Sequence, residues 1–402
     1  MIDDNNSNSS GRLPRTSTRL SNIYAVSTSV DLNKDKSTNK FMDKFTDIFE
    51  KCINYKFLFG ETTGMIIGIE ARKSTLLSLI QTCVLIPLHI IIIIQVGIYW
   101  APNIMYPSIK NSIYIMIYAL LFCIGQIFHI SLIRNAALTK NTVQVIFTFI
   151  FDLLLLVYTI VQAVTIWFLN IEVENKELMD NLLIVIDEFK ILSIIIIILD
   201  SIFVTLSAIS SFNVYKEYGW AMYTINGASI QKRTMLKKYH AFSVLLKVCI
   251  FFNTGIILII VYTLIVDLVD PSTTNTSLQT GSNWGFIIII SFITIAYYFT
   301  GLAVVLRGKK WAMILFPLLI IINSFCWTVS LYIIYFLPRF RFVFVIIAFF
   351  ISTTVVLNLV VLIVSLTCLQ YNREDFEALI FNQMQFINGD QIPTNRSAWA
   401  LD

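Results

Sequence analysis

The chain has 402 residues, of which 57% are hydrophobic and only 13% charged, and its formal net charge is +4. A globular protein in water carries about 25% charged residues, so the composition excludes an ordinary soluble domain. Apolar runs such as IPLHIIIIIQVGIYW also exclude a transmembrane barrel, whose strands alternate over roughly 10 residues.

Residues 1–40 are poor in aromatics and rich in Ser, Thr, Asn and Lys. Such a segment cannot bury enough apolar surface to offset the ordering of the chain, and a disordered cytosolic tail is expected. It has no apolar core of a cleavable signal peptide, so the first membrane span is expected to act as the targeting signal. Over 41–58 the character changes. Phe41, Phe45, Ile48, Phe49, Cys52 and Ile53 recur at helical spacing, with Asp43, Lys44, Asp47, Glu50 and Lys51 elsewhere on the wheel. The pattern predicts an amphipathic helix within a cytosolic segment over 41–74, lying on the leaflet or packed on the protein's own loops.

A helix that crosses a bilayer core of roughly 30 Å needs about 20 mostly apolar residues. Eight windows between 75 and 370 satisfy this: 75–100, 112–133, 143–169, 190–212, 241–267, 284–306, 312–336 and 343–370. The expected fold is therefore all-α, a polytopic bundle of about eight spans followed by a tail over 371–402. With the N-terminus in the cytosol, that side carries 23 Lys and Arg residues and the opposite side 5. The positive-inside bias thus predicts both termini in the cytosol. Asn275-Thr276-Ser277, in the loop before the sixth span, then falls on the lumenal side, where it matches the acceptor pattern for N-glycosylation.

Within the spans, ionisable residues are costly and by default suggest a functional or pairing role. Asp152 lies in the third span, Asp200 in the fourth and Lys247 in the fifth. At about 1.5 Å per residue, Asp152 and Lys247 come to similar depths, which makes them the expected ion pair, with Asp200 held by serines. Gln144, Thr148, Asp152, Thr159 and Gln162 share one helical face, as do Ser193, Asp200, Ser207 and Ser211. Lipid would reject both faces, so they should turn into the bundle, as interhelical hydrogen bonding or as the lining of a polar path. The acidic stretch between the third and fourth spans reads as a solvated loop.

The chain offers little for catalysis. Its histidines are His89, His129 and His240, none with a second histidine or a carboxylate at i+3 or i+4. No phosphate loop or nucleophile elbow is present. Five of the six cysteines fall inside spans, without a disulfide or zinc pattern. The expectation is no enzyme activity and no cofactor or metal.

Between the fourth and fifth spans lies KEYGWAMYTINGASIQKRTMLKKYH, residues 216–240. Asn226-Gly227 signals a helix end and Ser229 a helix start. Lys232, Arg233, Lys237 and Lys238 beside aromatic residues suit a helix in the headgroup layer, drawn to anionic lipid by about 1 kcal/mol per basic residue. Five positive charges flanked by two spans are ordinary cytosolic anchoring, so nucleic acid is not an expected partner.

Three segments carry a resemblance. Tyr218-Gly219-Trp220, Gly227-Ala228, Met235 to Tyr239 and Leu245-Leu246-Lys247 form one; NTVQVIFTFIFDLLLLVYTIVQ (141–162) and RGKKWAM (307–313) are the others. They resemble an uncharacterised fungal family of multi-span Golgi apparatus membrane proteins, over roughly residues 75–380. The chain departs from that family at Cys249, where the family has an acid, and at Phe376 to Leu379, where it has a Gly-Lys-Gly-like element. The resemblance implies Golgi residence and no enzyme activity. Together these features lead to an expected role in membrane organisation or trafficking through cytosolic loops, the alternative being a small-solute or lipid transporter that uses the polar faces of spans three to five.

Overall fold

The computed structural model describes residues 68–97, 106–167, 176–226, 230–269, 277–307, 310–336 and 344–369. The segments expected over 1–40, 41–58 and 371–402, and Asn275, lie outside the described residues. So do the side chains of Lys232 and Arg233.

Every described element is a helix, apart from short turns. The eight are α1 (Ile69–Gln95), α2 (Tyr106–Thr139), α3 (Thr142–Trp167), α4 (Lys176–Asn226), α5 (Ile230–Val269), α6 (Ser277–Arg307), α7 (Lys310–Phe336) and α8 (Phe344–Leu369). Seven are long and apolar enough to cross a membrane, and the apolar stretch Ile288–Val304 of α6 is a shorter candidate. Their outward faces are those of a protein in lipid. Phe292, Phe299, Ile314 and Phe325 are each about 70% exposed (68%, 70%, 72% and 68%), an arrangement that water would penalise at every residue and hydrocarbon does not. The chain is an integral, multi-pass helical membrane protein.

The helices form two groups. In the first, α1 packs on α2, α2 on α3, α3 on α4, and α4 returns to α1; in the second, α5 to α8 close in the same way. The groups meet mainly where α3 touches α5 and α8, with a smaller contact between α2 and α5. Aromatic rings fill that seam. Phe151 of α3 meets Phe251 and Phe252 of α5 edge-on, and Tyr158 meets Phe350 of α8 at 5.5 Å between ring centres. Gly125 of α2 belongs here because a Cβ would lie 2.8 Å from a methyl of Leu155 and 3.3 Å from the Phe251 ring.

Local sequence explains the tight connection between α2 and α3. Lys140 adopts φ 48°, and the Asn141 amide then donates to the Ala136 carbonyl at 3.3 Å. This is the Schellman end of a helix, with lysine in the left-handed position where glycine is usual. Asn141 at once starts α3, its Oδ1 accepting from the Val143 and Gln144 amides at 3.0 and 3.3 Å, as an N-cap does.

Two expectations are corrected. The acidic stretch after the third span is not a loop throughout, because α4 is already helical from Lys176. Lys190 and Asp187 pair there at 3.1 Å on one turn. The segment 216–240 is not a separate surface-lying helix either. Residues 216–226 complete α4 and 230–240 begin α5, and Tyr218 is buried, its hydroxyl directed at the Ala137 carbonyl. The break does fall after Asn226, where the Asn-Gly pair predicts it.

Candidate functional site

The polar face predicted for α3 is buried in full: Gln144, Thr148, Asp152, Thr159 and Gln162 are all inaccessible to solvent. On α4, Ser193, Asp200 and Ser207 are buried and Ser211 is half-buried. Both faces turn into the first helix group, where α1 and α2 supply the partners. Most hydroxyls on these faces bond back one turn, as Thr148 does to the Gln144 carbonyl at 2.7 Å and Thr159 to the Leu155 carbonyl at 3.0 Å. Such local bonds remove the need for a partner helix. The carboxylates have no such option, and their partners come from other helices.

Asp152 accepts a hydrogen bond from Gln81 Nε2 of α1 at 2.9 Å. The same Oδ1 lies 3.8 Å from His129 Nε2 of α2. His129 Nδ1 is 3.2 Å from Ser78 Oγ of α1. With the serine donating to Nδ1, the imidazole carries its proton on Nε2 and directs it at the carboxylate, the tautomer that the local charge favours. Asp200 accepts from Thr159 Oγ1 at 3.0 Å, and Gln81 and Asp152 also act on it. Gln81 is thus hydrogen-bonded to Asp152 and close to Asp200. Gln81, His129, Asp152 and Asp200 are each 0% exposed.

The cluster is the middle of a longer polar column. Toward the end at which α1 begins, Ser74 and Thr148, each one turn from Ser78 and Asp152, line a small cleft together with Ala137, Ser211 and Tyr218. Beyond Asp200 the column continues to Gln162 and to His89, whose ring stacks on Phe122 with centroids 3.9 Å apart and whose Nδ1 approaches the Leu85 carbonyl at 3.0 Å. From Thr148 to Gln162 the rise along α3 is about 21 Å, most of a bilayer core.

Charge and hydrogen bonding do not balance in this column. Gln81 Oε1, Asp152 Oδ2, Asp200 Oδ1 and His129 Nε2 have no hydrogen-bond partner. Three of these four are acceptors. Only one lysine stands at comparable depth, and it is not the partner. Among the described residues Lys247 makes no ion pair, and the pair expected between Asp152 and Lys247 is replaced by Asp152 with His129 and Gln81. Depth is a single coordinate, and it cannot tell which neighbouring helix faces the acid. Asp200, likewise, is held by a threonine of α3 and not by serines.

Near the cleft, Glu217 of α4 acts on the backbone at Glu70 and Ala71 that starts α1. Gly68 permits this approach, since a Cβ there would collide with the Glu217 carboxylate. Lys237 is exposed and Lys238 half-buried at the start of α5.

Ser78, His129 and Asp152 have the residue types of a hydrolytic triad, but not its geometry. Ser78 lies within a continuous helix, so its backbone amides are already bonded and cannot stabilise an oxyanion. Asp152 Oδ1 is engaged by Gln81 and stands 3.8 Å from the imidazole, outside hydrogen-bond range. Among the described residues no group of three or more His, Cys, Asp and Glu side chains is placed to hold a metal ion, and the five cysteines are free.

Gln81 and Ser78 were not singled out by sequence reasoning. The usable signal is Gln81 itself, an amide in an apolar span. No protein-family model, curated protein or solved structure matches the chain.

Proposed function

We propose that the chain is a non-enzymatic, multi-pass protein of the Golgi membrane that carries a small solute or lipid headgroup along the polar faces of α1 to α4. One observation carries the transport reading. Two carboxylates, Asp152 and Asp200, sit fully buried in a polar column built by four helices, without a Lys or Arg partner among the described residues. A bundle that needed only cohesion would do better with neutral side chains, because desolvating a carboxylate costs several kcal/mol. Such acids are kept where ions or substrates move.

The earlier expectation of spans three to five narrows to spans one to four, since Lys247 does not join the column. The non-enzymatic part is supported by the helical setting of Ser78. Golgi residence rests on the resemblance of 141–162, 216–247 and 307–313 to the fungal Golgi family. Lys232, Arg233, Lys237 and Lys238 are proposed to hold anionic headgroups, on the cytosolic side that the charge bias implies. A role in membrane organisation would depend on surfaces outside the described residues, and no described contact favours it over transport.

The test is uptake by the purified full-length chain in liposomes, against a panel of inorganic phosphate, amino acids, nucleotide sugars and labelled phospholipid. Uptake of one class above empty vesicles, lost in the Asp152→Asn, Asp200→Asn double variant, is expected. Equal behaviour of protein-containing and empty vesicles across the panel, with the protein folded, would reject transport and leave membrane organisation.

A further inference from the structure

The buried column contains an imbalance of a particular kind. Gln81 Oε1, Asp152 Oδ2 and Asp200 Oδ1 are acceptors without donors, and the nitrogen donors left without an acceptor in this helix group are His129 Nε2 and Gln126 Nε2, both of α2. All five side chains are at 0% exposure, where an unmet acceptor costs the full desolvation penalty. Two carboxylates in one buried polar column make the deficit electrostatic as well. What the cluster lacks is positive charge and hydrogen.

The surrounding helices do not supply it. From α1 come the neutral Ser78 and Gln81, with His89 lying deeper. His129 is the titratable group that α2 brings to the acids, while Tyr118 and Cys123 of that helix lie farther along it. Asp200 itself is the contribution of α4, whose Glu217 lies at the cleft end. Helix α5 meets α3 through Phe251 and Phe252, and Lys247 and Cys249 of that helix pair with neither acid. Helix α8 meets α3 through Phe349 and Phe350. Salt bridges to arginine or lysine, the usual answer to a buried carboxylate, are absent here among the described residues.

A proton meets the deficit with the smallest rearrangement. Placed on one carboxyl, it cancels a charge and turns an acceptor into a donor for its neighbours. A metal cation would have to sit beside an imidazole that points a hydrogen toward the same acid. The cleft is the nearest opening to the cluster: its Ser74 and Thr148 stand one turn from Ser78 and Asp152. We propose that Gln81, His129, Asp152 and Asp200 form a binding site for an exchangeable proton, loaded through this cleft and used as the coupling ion of the transport reaction. The role in coupling rests on the transport reading; the site itself does not.

Infrared difference spectroscopy on the full-length protein in liposomes tests the site without any substrate. Between acidic and alkaline buffer, the wild type should show a protonated carboxyl stretch that moves in D2O. Asp152→Asn and Asp200→Asn singly should shift its titration, and the double variant should lose it. Gln81→Leu should also shift it, because Asp152 loses the hydrogen bond it accepts from Gln81. A wild-type spectrum without a titrating buried carboxyl overturns the proposal whether or not the variants fold. A band that responds to sodium and not to pH overturns it in favour of a metal cation. If the carboxyl titrates while no solute is taken up, the transport reading fails and the proton site stands; uptake that is independent of pH, with no titrating band, does the reverse.

Discussion

The two helix groups bury polar groups in opposite ways. In α5 to α8 the buried polar residues include one histidine, His240, and no carboxylate, and most meet a partner. Asn253 Oδ1 accepts from Trp327 Nε1 at 2.7 Å, while Asn253 Nδ2 donates to the Cys249 carbonyl at 2.9 Å. Thr294 donates to Asn323 Oδ1 at 3.1 Å and Tyr298 to the Cys249 carbonyl at 3.0 Å. Only Thr354 Oγ1 and Asn358 Nδ2 are left over among the described residues of that group, both uncharged. In α1 to α4 the corresponding layer holds two acids and a histidine with more acceptors than donors. A satisfied amide network fastens helices together; an unsatisfied charged one stays in lipid only if something else completes it. On the transport proposal, cohesion belongs to the second group and the solute path to the first.

The sharpest way to break that assignment is to exchange the effects. Asp152→Asn and Asp200→Asn should each sharply lower uptake in liposomes, because ionisable residues at membrane depth mark ion and substrate pathways. Both should leave thermal stability in detergent unchanged or raised, because a buried charge is removed. Asn253→Ala should act the other way. It strips the Trp327 indole and the Asn323 amide of an acceptor, and an unmet buried donor costs about 1–3 kcal/mol, although contacts in membranes average only about 0.6 kcal/mol. A fall in melting temperature is expected, with uptake per folded molecule kept. If Asn253→Ala abolished uptake at full stability, the division between the groups would fail.

A smaller effect concerns the turn that sets α3 against α2. Lysine in the left-handed conformation costs about 1–2 kcal/mol, and glycine raises the entropy of the unfolded chain by about 0.4–1 kcal/mol. Lys140→Gly should therefore stabilise the protein by about 0.5–1 kcal/mol, read as a small rise in melting temperature. A loss of stability would mean that the Lys140 side chain contributes more than its backbone strain. The smallest expected quantity is the coupling between Asp152 and Lys247. In a double-mutant cycle with Asp152→Asn and Lys247→Met, the two changes should add to within about 0.5 kcal/mol, as for residues without contact. By contrast, Asp152→Asn and Gln81→Leu share a hydrogen bond and should not add. Strong coupling to Lys247 would restore the ion pair that depth alone suggests.

Much of this architecture was legible without coordinates, for physical reasons that act locally. Hydropathy locates spans because each stretch of about 20 residues must separately satisfy lipid. The eight windows coincide with the eight helices, although α2, α4 and α5 run well past their windows, since charged and aromatic residues continue a helix that hydropathy no longer marks. Helical periodicity identified the buried faces of α3 and α4, because a polar stripe in a span has nowhere else to turn. The Asn226-Gly227 stop was likewise a matter of local backbone preference.

What periodicity could not supply was the identity of the facing helix. A residue's angle and depth are set within its own helix, but a hydrogen bond also requires adjacency, which is decided by how all eight helices pack. Asp152 and Lys247 agreed in depth and still do not meet, while Gln81 and His129 reach the acid from helices that the depth argument never weighed. The separation into a group with buried carboxylates and a group without them is of the same kind. Composition is spread along the whole chain, and only the closing of α1 on α4 and of α5 on α8 gathers the acids into one column and the amides into another.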